Sequence, residues 1–423
     1  MLSDALKNAG INSKDFKKQN QTQKKPNETQ KENSNTHNKE VANTQSIKKD
    51  FKTSGILKLK MTAISPLHIG SGYEYEPTNY VIDENILYSF LDEDFFTALN
   101  SIDKEKFINI LNENRSDSFA RINSFVKERI DIVKKISKKT IPTSKGIQTD
   151  YKAKVGKVVQ VEGSSSKGNY KNVFNEFKIQ KIQRKLFKDK NGDYKEFGYI
   201  PGSSLKGAIA TAYQEFISIK EGGNARKEKF LSPITIKEHI FKNFKVADSK
   251  VTISNYKELI GYALNKERFE DDKTGLSTIL EAIEQNSTFS VEIAYSENDN
   301  KGKKLFSLNN VLNSLNNHYL PIFKTMFDDE YEYIVDYLSE DFVERYKNLE
   351  LQENQFLIRV GKHSGARAVT INSKNEKRKI KVRVNKSKFE EEDEETTTWL
   401  FGKSTSDTKN LLPFGWLLCE IID

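Results

Sequence analysis

From Ile56 onward apolar and polar side chains alternate, with Leu57, Leu59, Met61 and Ala63 interleaved among Lys58, Lys60 and Thr62. A period of two is that of a strand with one buried face, and Pro66 ends it. The following PLHIGSG reads as a turn with two close glycines. YVIDENILYSF reads as two short extended runs joined at Asp83-Glu84-Asn85. Residues 94–139 change to a basic, mostly helical pattern, and the polar stretch 141–170, with its Gly, Ser and Lys, predicts a mobile insertion. Order resumes at Phe197-Gly198-Tyr199-Ile200. Pro201-Gly202 then opens a helix whose apolar side is Leu205, Ile209, Ala212 and Phe216, with Ser203 as its cap. Phe289, Val291 and Ile293 alternate as a strand, residues 305–351 are dominated by helical patterns, and residues 356–360 and 416–421 return to strand. Strands interrupted by helices and long insertions predict an α+β fold, and the length accommodates two such domains.

Upstream, residues 18–50 are mostly Gln, Asn, Lys, Thr and Glu, with Val41, Ala42 and Ile47 the few apolar points. They are too few to offset chain entropy, so a disordered polar tail is expected over residues 1–54. The rest has ample material for a core: 36% of the 423 residues are apolar, including 26 Phe and 17 Tyr. No run approaches the roughly 18 apolar residues of a membrane-spanning helix. MLSDALKNAG lacks the pattern of a secretory signal, so the cytoplasm is the expected location. Cys419 is the single cysteine and the five histidines are dispersed, so neither a disulfide nor a metal or other cofactor is expected.

The net charge of +8 is unevenly placed. Residues 121–190 hold 19 Lys or Arg against 6 Asp or Glu, and residues 355–388 hold 11 against 1. Either block alone exceeds the charge of the whole chain, a separation that favours a positive surface and a polyanionic partner over uniform basicity.

Two segments carry candidate chemistry. In YIPGSSLKGAIATAY a strand end, a Pro-Gly turn, two serines and a lysine fall at the start of a helix. A helix N-terminus presents unpaired N–H groups and a partial positive charge, which suits a phosphate. Ser203, Ser204 and Lys206 would add donors, and Gly207 and Ala208 would admit close approach. The same residues fit a structural role, with Ser203 as a cap and Gly207 permitting tight helix packing. In RVGKHSGARAVT, Gly361 and Gly365 stand among Arg359, Lys362, His363 and Arg367 just after a strand. Glycines let backbone amides approach a phosphate, arginine binds it bidentately, and Arg or His stacks on a splayed base. The alternative is a basic hairpin loop without a ligand. It is no Walker motif, because the Gly-Lys pair lacks a following Ser or Thr. His68 can be imagined as a general acid or base, but a lone histidine beside a turn is more often a hydrogen-bonded structural residue. The acidic clusters at residues 92–94 and 390–395 lack ligand spacing and read as solvated surface.

Four segments in one order, LKLKMTAISPLHIGSGYEYEPTNYVID, YIPGSSLKGAIATA, FLIRVGKHSGARAVTI and LPFGWLLCEI, resemble the RAMP superfamily of CRISPR proteins. Within it they look like the subunit that caps the 3′ end of the guide RNA in type III-A Csm complexes. The landmarks run from Ile56 to Ile421. The resemblance implies two ferredoxin-like, RNA-recognition-like modules with helical insertions, one over residues 55–285 with a basic helical insertion and one over 286–423 with the Gly-rich basic loop. It implies a non-catalytic protein that holds the 3′ region of the crRNA and supports its maturation. The partners implied are the terminal backbone RAMP subunit, the small helical subunit and a host ribonuclease, with no membrane role. By motif, RNA contact falls to Ser203, Ser204 and Lys206, to Arg359, Lys362, His363 and Arg367, and from the first turn to His68 and Ser71. The polar N-terminal tail departs from the family pattern.

Three rival readings remain at this level. One is a RAMP endoribonuclease that processes the crRNA precursor with His68 or His363 as proton-transfer group. Another is a different RAMP position, backbone or 5′ cap. The third is a basic protein-interaction module.

Overall fold

The alternation after Ile56 becomes β1 (Ser54–Ala63), with Leu57, Leu59, Met61 and Ala63 buried and Lys58 and Lys60 facing out. In the computed structural model the described residues are 47, 49–76, 78–113, 117–155, 158–164, 169–174, 177–189, 191–221, 239–268, 274–328, 334–383 and 388–422. Most of the expected tail lies outside them. Its last part is folded rather than disordered: Ile47 is buried and its N–H donates to Asn313 Oδ1 at 2.7 Å.

β2 (Gly70–Tyr75) follows the PLHIG segment, which is therefore a turn only in part. β3 (Tyr80–Asp83) and β4 (Ile86–Ser89) form the expected hairpin, with Glu84 and Asn85 at φ 48° and 60°. Two left-handed residues make the tight turn whose twist matches that of paired strands. The helical insertion is α1 (Asp92–Ala98), α2 (Ser101–Asn112), α3 (Ser118–Lys127) and α4 (Ile130–Ile136), packed through Phe90, Phe95, Phe107 and Phe125.

Within the stretch expected to be a mobile insertion, the described residues form regular elements. They are β5 (Lys139–Pro142), α5 (Lys145–Lys154), β6 (Val158–Ser164) and β7 (Asn169–Phe174). The Ser144 hydroxyl accepts the Ile147 N–H at the start of α5, and only Ile147 and Tyr151 anchor that helix in the core. Two apolar points in ten residues leave almost no periodic signal, which is why the segment reads as polar.

β8 (Ile179–Ile182), β9 (Arg184–Lys188) and β10 (Tyr194–Gly198) lead to α6 (Gly202–Glu221), which buries Leu205, Ile209 and Ala212 as expected. Then come β11 (Phe244–Val246), β12 (Lys250–Val251), β13 (Glu258–Glu267), β14 (Thr274–Ile283) and β15 (Thr288–Ser296). The helical region is α7 (Leu308–Thr325), α8 (Ile334–Tyr337) and α9 (Glu340–Tyr346). The chain closes with β16 (Gln355–Arg359), β17 (Ile380–Arg383), β18 (Phe389–Glu392), β19 (Thr397–Gly402), β20 (Leu412–Pro413) and β21 (Trp416–Ile422).

Two six-stranded sheets organise these elements. One runs β11-β15-β1-β21-β16, with β12 also on β15, all antiparallel. α6 and α7 pack on each other and against it. Tyr319 and Phe323 of α7 meet the fully buried Trp416 edge-on, with ring centroids 6.3 and 4.9 Å apart. Truncating such an anchor costs about 3–5 kcal/mol. The other sheet runs β2-β8-β14-β13-β19-β20, with β8 and β14 the parallel pair. Each sheet draws strands from both ends of the chain. β1 lies between β15 and β21, so a division at 285/286 does not separate the sheets. Among the described residues no helix is long and apolar enough to cross a membrane.

Candidate nucleic-acid interface

The segments singled out in the sequence are stitched together by hydrogen bonds from backbone N–H groups. Trp416 N–H donates to Ser65 Oγ at 2.9 Å, Gly415 N–H to Pro66 O at 2.9 Å, Val360 N–H to Gly415 O at 2.9 Å and Lys362 N–H to His68 O at 2.8 Å. PLHIGSG, RVGKHSG and LPFGW thus form one surface. Gly361 makes the contact possible: its φ is +91°, and a Cβ there would lie 2.7 Å from His68 O. Only glycine tolerates both the conformation and the approach.

The flank of α6 faces this surface across a cleft of about 390 Å³. Ser204, Gly207, Ala208 and Thr211 line one wall, one helical turn after another. Gly361, Lys362, Ser364 and Val369 line the other, with Gly70 at the end. A second cleft of the same size continues past Lys362 and Gly70 to Tyr73, Glu74, Gln180 and Lys181. Lys362 stands between the two, exposed, with Nζ donating to Gln180 Oε1 at 2.8 Å.

The start of α6 is not the open phosphate site expected. Gly202 N–H donates to Asp248 Oδ1 at 3.0 Å, and a Cβ at Gly202 would lie 2.2 Å from Val246 O. A carboxylate and the neighbouring backbone therefore close the helix end. The bond from Gly202 in turn lowers the Asp248 carboxyl. Ser203 lies inside the helix and is exposed, so it is not the cap. Lys206 turns away from the cleft, its Nζ donating to Phe241 O at 3.0 Å, and burial lowers its ammonium. Gly207 does not serve tight packing, since a Cβ there meets nothing within 4 Å.

Two arginines expected to contact RNA point inward. Arg359 Nε donates to Phe414 O at 2.9 Å and its guanidinium lies 5.0 Å from the Trp416 ring. Burial pushes it down to about 9, against the pull of Glu395. Arg367 is buried, with Nε on Glu395 Oε2 at 3.0 Å and Nη2 3.4 Å from Glu394. Arg268 reaches the other Glu395 oxygen at 3.2 Å. Glu395, expected on a solvated acidic surface, thus pairs with two buried arginines and supplies counter-charge to both.

His363 has φ +65° and its ring packs near Trp399 and Phe414, at 4.6 and 5.3 Å between centroids. Burial, with Lys362 and His68 adding to it, pushes this ring down to about 4. His68 is buried, and its Nδ1 lies 2.6 Å from Glu281 O, so that nitrogen carries the proton. Burial lowers the His68 ring as well, the Glu281 bond opposing it. Ser71 Oγ donates to Lys181 O at 3.2 Å.

Beneath the second cleft Glu281 is fully buried. Ile182 N–H donates to it at 2.9 Å, Arg184 pairs with it, and Lys139 lies 3.4 Å away. Burial would raise this carboxyl, but Arg184 and Lys139 outweigh it and hold it low. The cluster fixes β8, and so the positions of Gln180 and Lys181, two residues that the sequence patterns did not single out. Their signal was weak: Lys181 is one of 19 basic residues in residues 121–190. The clefts therefore offer amines from Lys362 and Lys181, hydroxyls from Ser204, Thr211 and Ser364, and close backbone approach at Gly70 and Gly207. Among the described residues no group of three or more His, Cys, Asp or Glu is placed to hold a metal ion.

Over 210 residues the chain is 28% identical to the CRISPR system Cms protein Csm5 of Methanocaldococcus jannaschii, covering 46% of this chain and 42% of that protein. The chain thus spans about two fifths of the length of this curated relative. A chain in the cryo-EM structure of a Csm–crRNA–target RNA ternary complex of a type III-A CRISPR-Cas system matches with a TM-score of 0.52 at 17% identity, over 86% of this chain and 100% of that one. The crystal structure of T. onnurineus Csm5 matches at 0.46 and 17%, over 85% and 99%. At such identity the structural likeness is one of fold. The RAMP superfamily model matches residues 60–400, a span that takes in β2, α6 and the Gly361 loop. The chain belongs to the RAMP superfamily.

Proposed function

We propose that this chain is a non-catalytic, cytoplasmic crRNA-binding subunit of a type III-A Csm complex. In this reading it holds the 3′ region of the guide between α6 and the Gly361 loop and supports crRNA maturation. The observation that carries the reading is the convergence of PLHIGSG, the IPGSSLKG helix and RVGKHSG on one cleft, with Lys362 exposed at its centre. Single-stranded RNA suits such a surface: amines and backbone approach engage phosphates with little sequence dependence. Neighbouring subunits in this reading are the terminal backbone RAMP protein and the small helical subunit, with a host ribonuclease trimming the guide. The connectivity β1-α6-β11/β12-β15-α7-β21, with spatial order β11-β15-β1-β21, supports reading one module as ferredoxin-like. We place the second module on the β2-to-β20 sheet rather than on a contiguous C-terminal segment.

The non-catalytic part of the reading is supported by the enclosure of His68 and His363: His68 is buried against Glu281 O, and His363 packs near Trp399 and Phe414. The test is to purify the tagged chain from its host, digest unprotected RNA and sequence what remains. Guide RNA, one copy of the chain per complex, and intact precursor after incubation with the isolated chain are expected. Cleaved precursor points instead to the endoribonuclease, and several copies per complex to a backbone subunit.

A further inference from the structure

The second cleft holds a feature that phosphate binding does not explain. It is bounded by β2 and β8, and Glu74 of β2 is the cross-strand partner of Gln180 of β8. Glu74 is exposed, and no ion pair or side-chain hydrogen bond joins its carboxylate to another described residue. A carboxylate lining the same cleft as Lys362 would repel a phosphate. It is the right group for a base edge that donates hydrogen bonds.

The other groups complete a base-sized site. Lys362 Nζ already donates to Gln180 Oε1, which leaves the amide N–H groups of Gln180 as donors. Tyr73 stands at the rim with its side chain 76% exposed, an aromatic surface on which a base can stack. It lies where the register between β2 and β8 shifts, between Gly70 and Glu74, an irregularity that re-aims side chains. Gly72, at φ +83° with nothing within 4 Å of a Cβ, keeps the entrance open.

We infer that this cleft is a nucleobase pocket that takes one unstacked base of the bound RNA and prefers guanine. Guanine is the base whose Watson–Crick edge sets two adjacent donors, N1–H and the N2 amine, beside an acceptor, O6. The donors face the Glu74 carboxylate, and O6 accepts from Gln180 or a lysine. Adenine and cytosine offer one exocyclic amine each, and uracil flanks its single donor with two carbonyls that the carboxylate repels.

The inference rests on the RNA-binding reading, and one experiment separates the two. The full chain is titrated with fluorescein-labelled oligouridine carrying a single internal G, A, C or U, for wild type, Glu74→Gln and Tyr73→Ala. The expected result is binding of all four, with the G oligomer tighter than the U oligomer by about 10-fold. Glu74→Gln brings that ratio close to one without weakening oligouridine, and Tyr73→Ala weakens all four. Both side chains are exposed, and melting curves verify that the variants fold. Equal wild-type affinity for the four oligomers, or a G preference that survives Glu74→Gln, overturns the pocket and leaves RNA binding standing. No binding of any oligomer overturns both.

Discussion

His318 and Glu215, 103 residues apart in sequence, meet side chain to side chain in the interior, with His318 Nδ1 2.5 Å from Glu215 Oε2. The other ring nitrogen lies 3.2 Å from Ala368 O. Glu215 Oε1 accepts the Asn372 backbone and amide N–H groups at 2.7 and 2.8 Å, and Arg378 lies 3.6 Å away. α6 and α7 thereby latch the stretch that follows the Gly361 loop.

Glu215→Ala therefore removes the partner of the buried His318 Nδ1 and of the Asn372 donors, at an expected cost of about 3–5 kcal/mol. Urea unfolding checks the magnitude. Hydrogen exchange checks the place: residues 366–378 should lose protection before β1 does, and uniform loss would remove the latch.

Stability should fall on acidification, for two reasons of the same sign. Burial alone would raise the Glu215 carboxyl, but His318 and Arg378 outweigh it and hold it low. Its contribution is present above the unfolded value of about 4.3 and lost as pH falls through the lower folded value. His363 is held down at about 4 by burial. The unfolded chain therefore takes up that proton first, and stability drops from about pH 6.5 to about pH 4, by roughly 2–3 kcal/mol. Melting temperatures across pH 3–8 test this: His363→Leu should flatten the upper part of the fall, and Glu215→Gln the part below about pH 4.

Gly207 occupies the second turn of α6 with open space where a side chain would be. Alanine there should stabilise the helix by about 1 kcal/mol. If RNA approaches the backbone at this point, the methyl group weakens binding by a similar energy, roughly fivefold in Kd. A variant that gains both stability and affinity would place the RNA elsewhere.

Lys362 lines both clefts and is exposed, whereas Lys181 is half-buried with its ammonium over the Tyr75 ring. Replacing Lys362 by alanine should lower affinity for single-stranded RNA and make the log–log salt slope shallower by about 0.7, the contribution of one phosphate. The buried Arg367 makes the control: its loss should destabilise the fold through Glu395 without changing the slope per bound molecule.

Local patterns were legible in the sequence and distant pairings were not. β1, the 83–85 turn, α6 and the closing strand follow from period and turn chemistry, each within a dozen residues or so. α5 was hidden because two buried residues suffice to hold it. The basic loop was found, but its arginines were assigned to RNA because their counter-charge, Glu395, is 28 residues beyond Arg367 in an acidic run that looks solvated. The α6 N-terminus was likewise misjudged, since its cap is Asp248, 46 residues beyond Gly202. Lys181 and Gln180 belong to the site through Lys362, 182 residues beyond Gln180, and no local pattern encodes that contact.

We propose that the cleft between α6 and the Gly361 loop holds the 3′ region of a guide RNA. Protein–RNA crosslinking with mass spectrometry, on the complex purified from its host, tests it most directly. The expected result is crosslinked peptides from residues 202–211 and 361–369, joined to nucleotides of the guide's 3′ region. Crosslinks confined to the 5′ end, or to peptides outside both clefts, would contradict it.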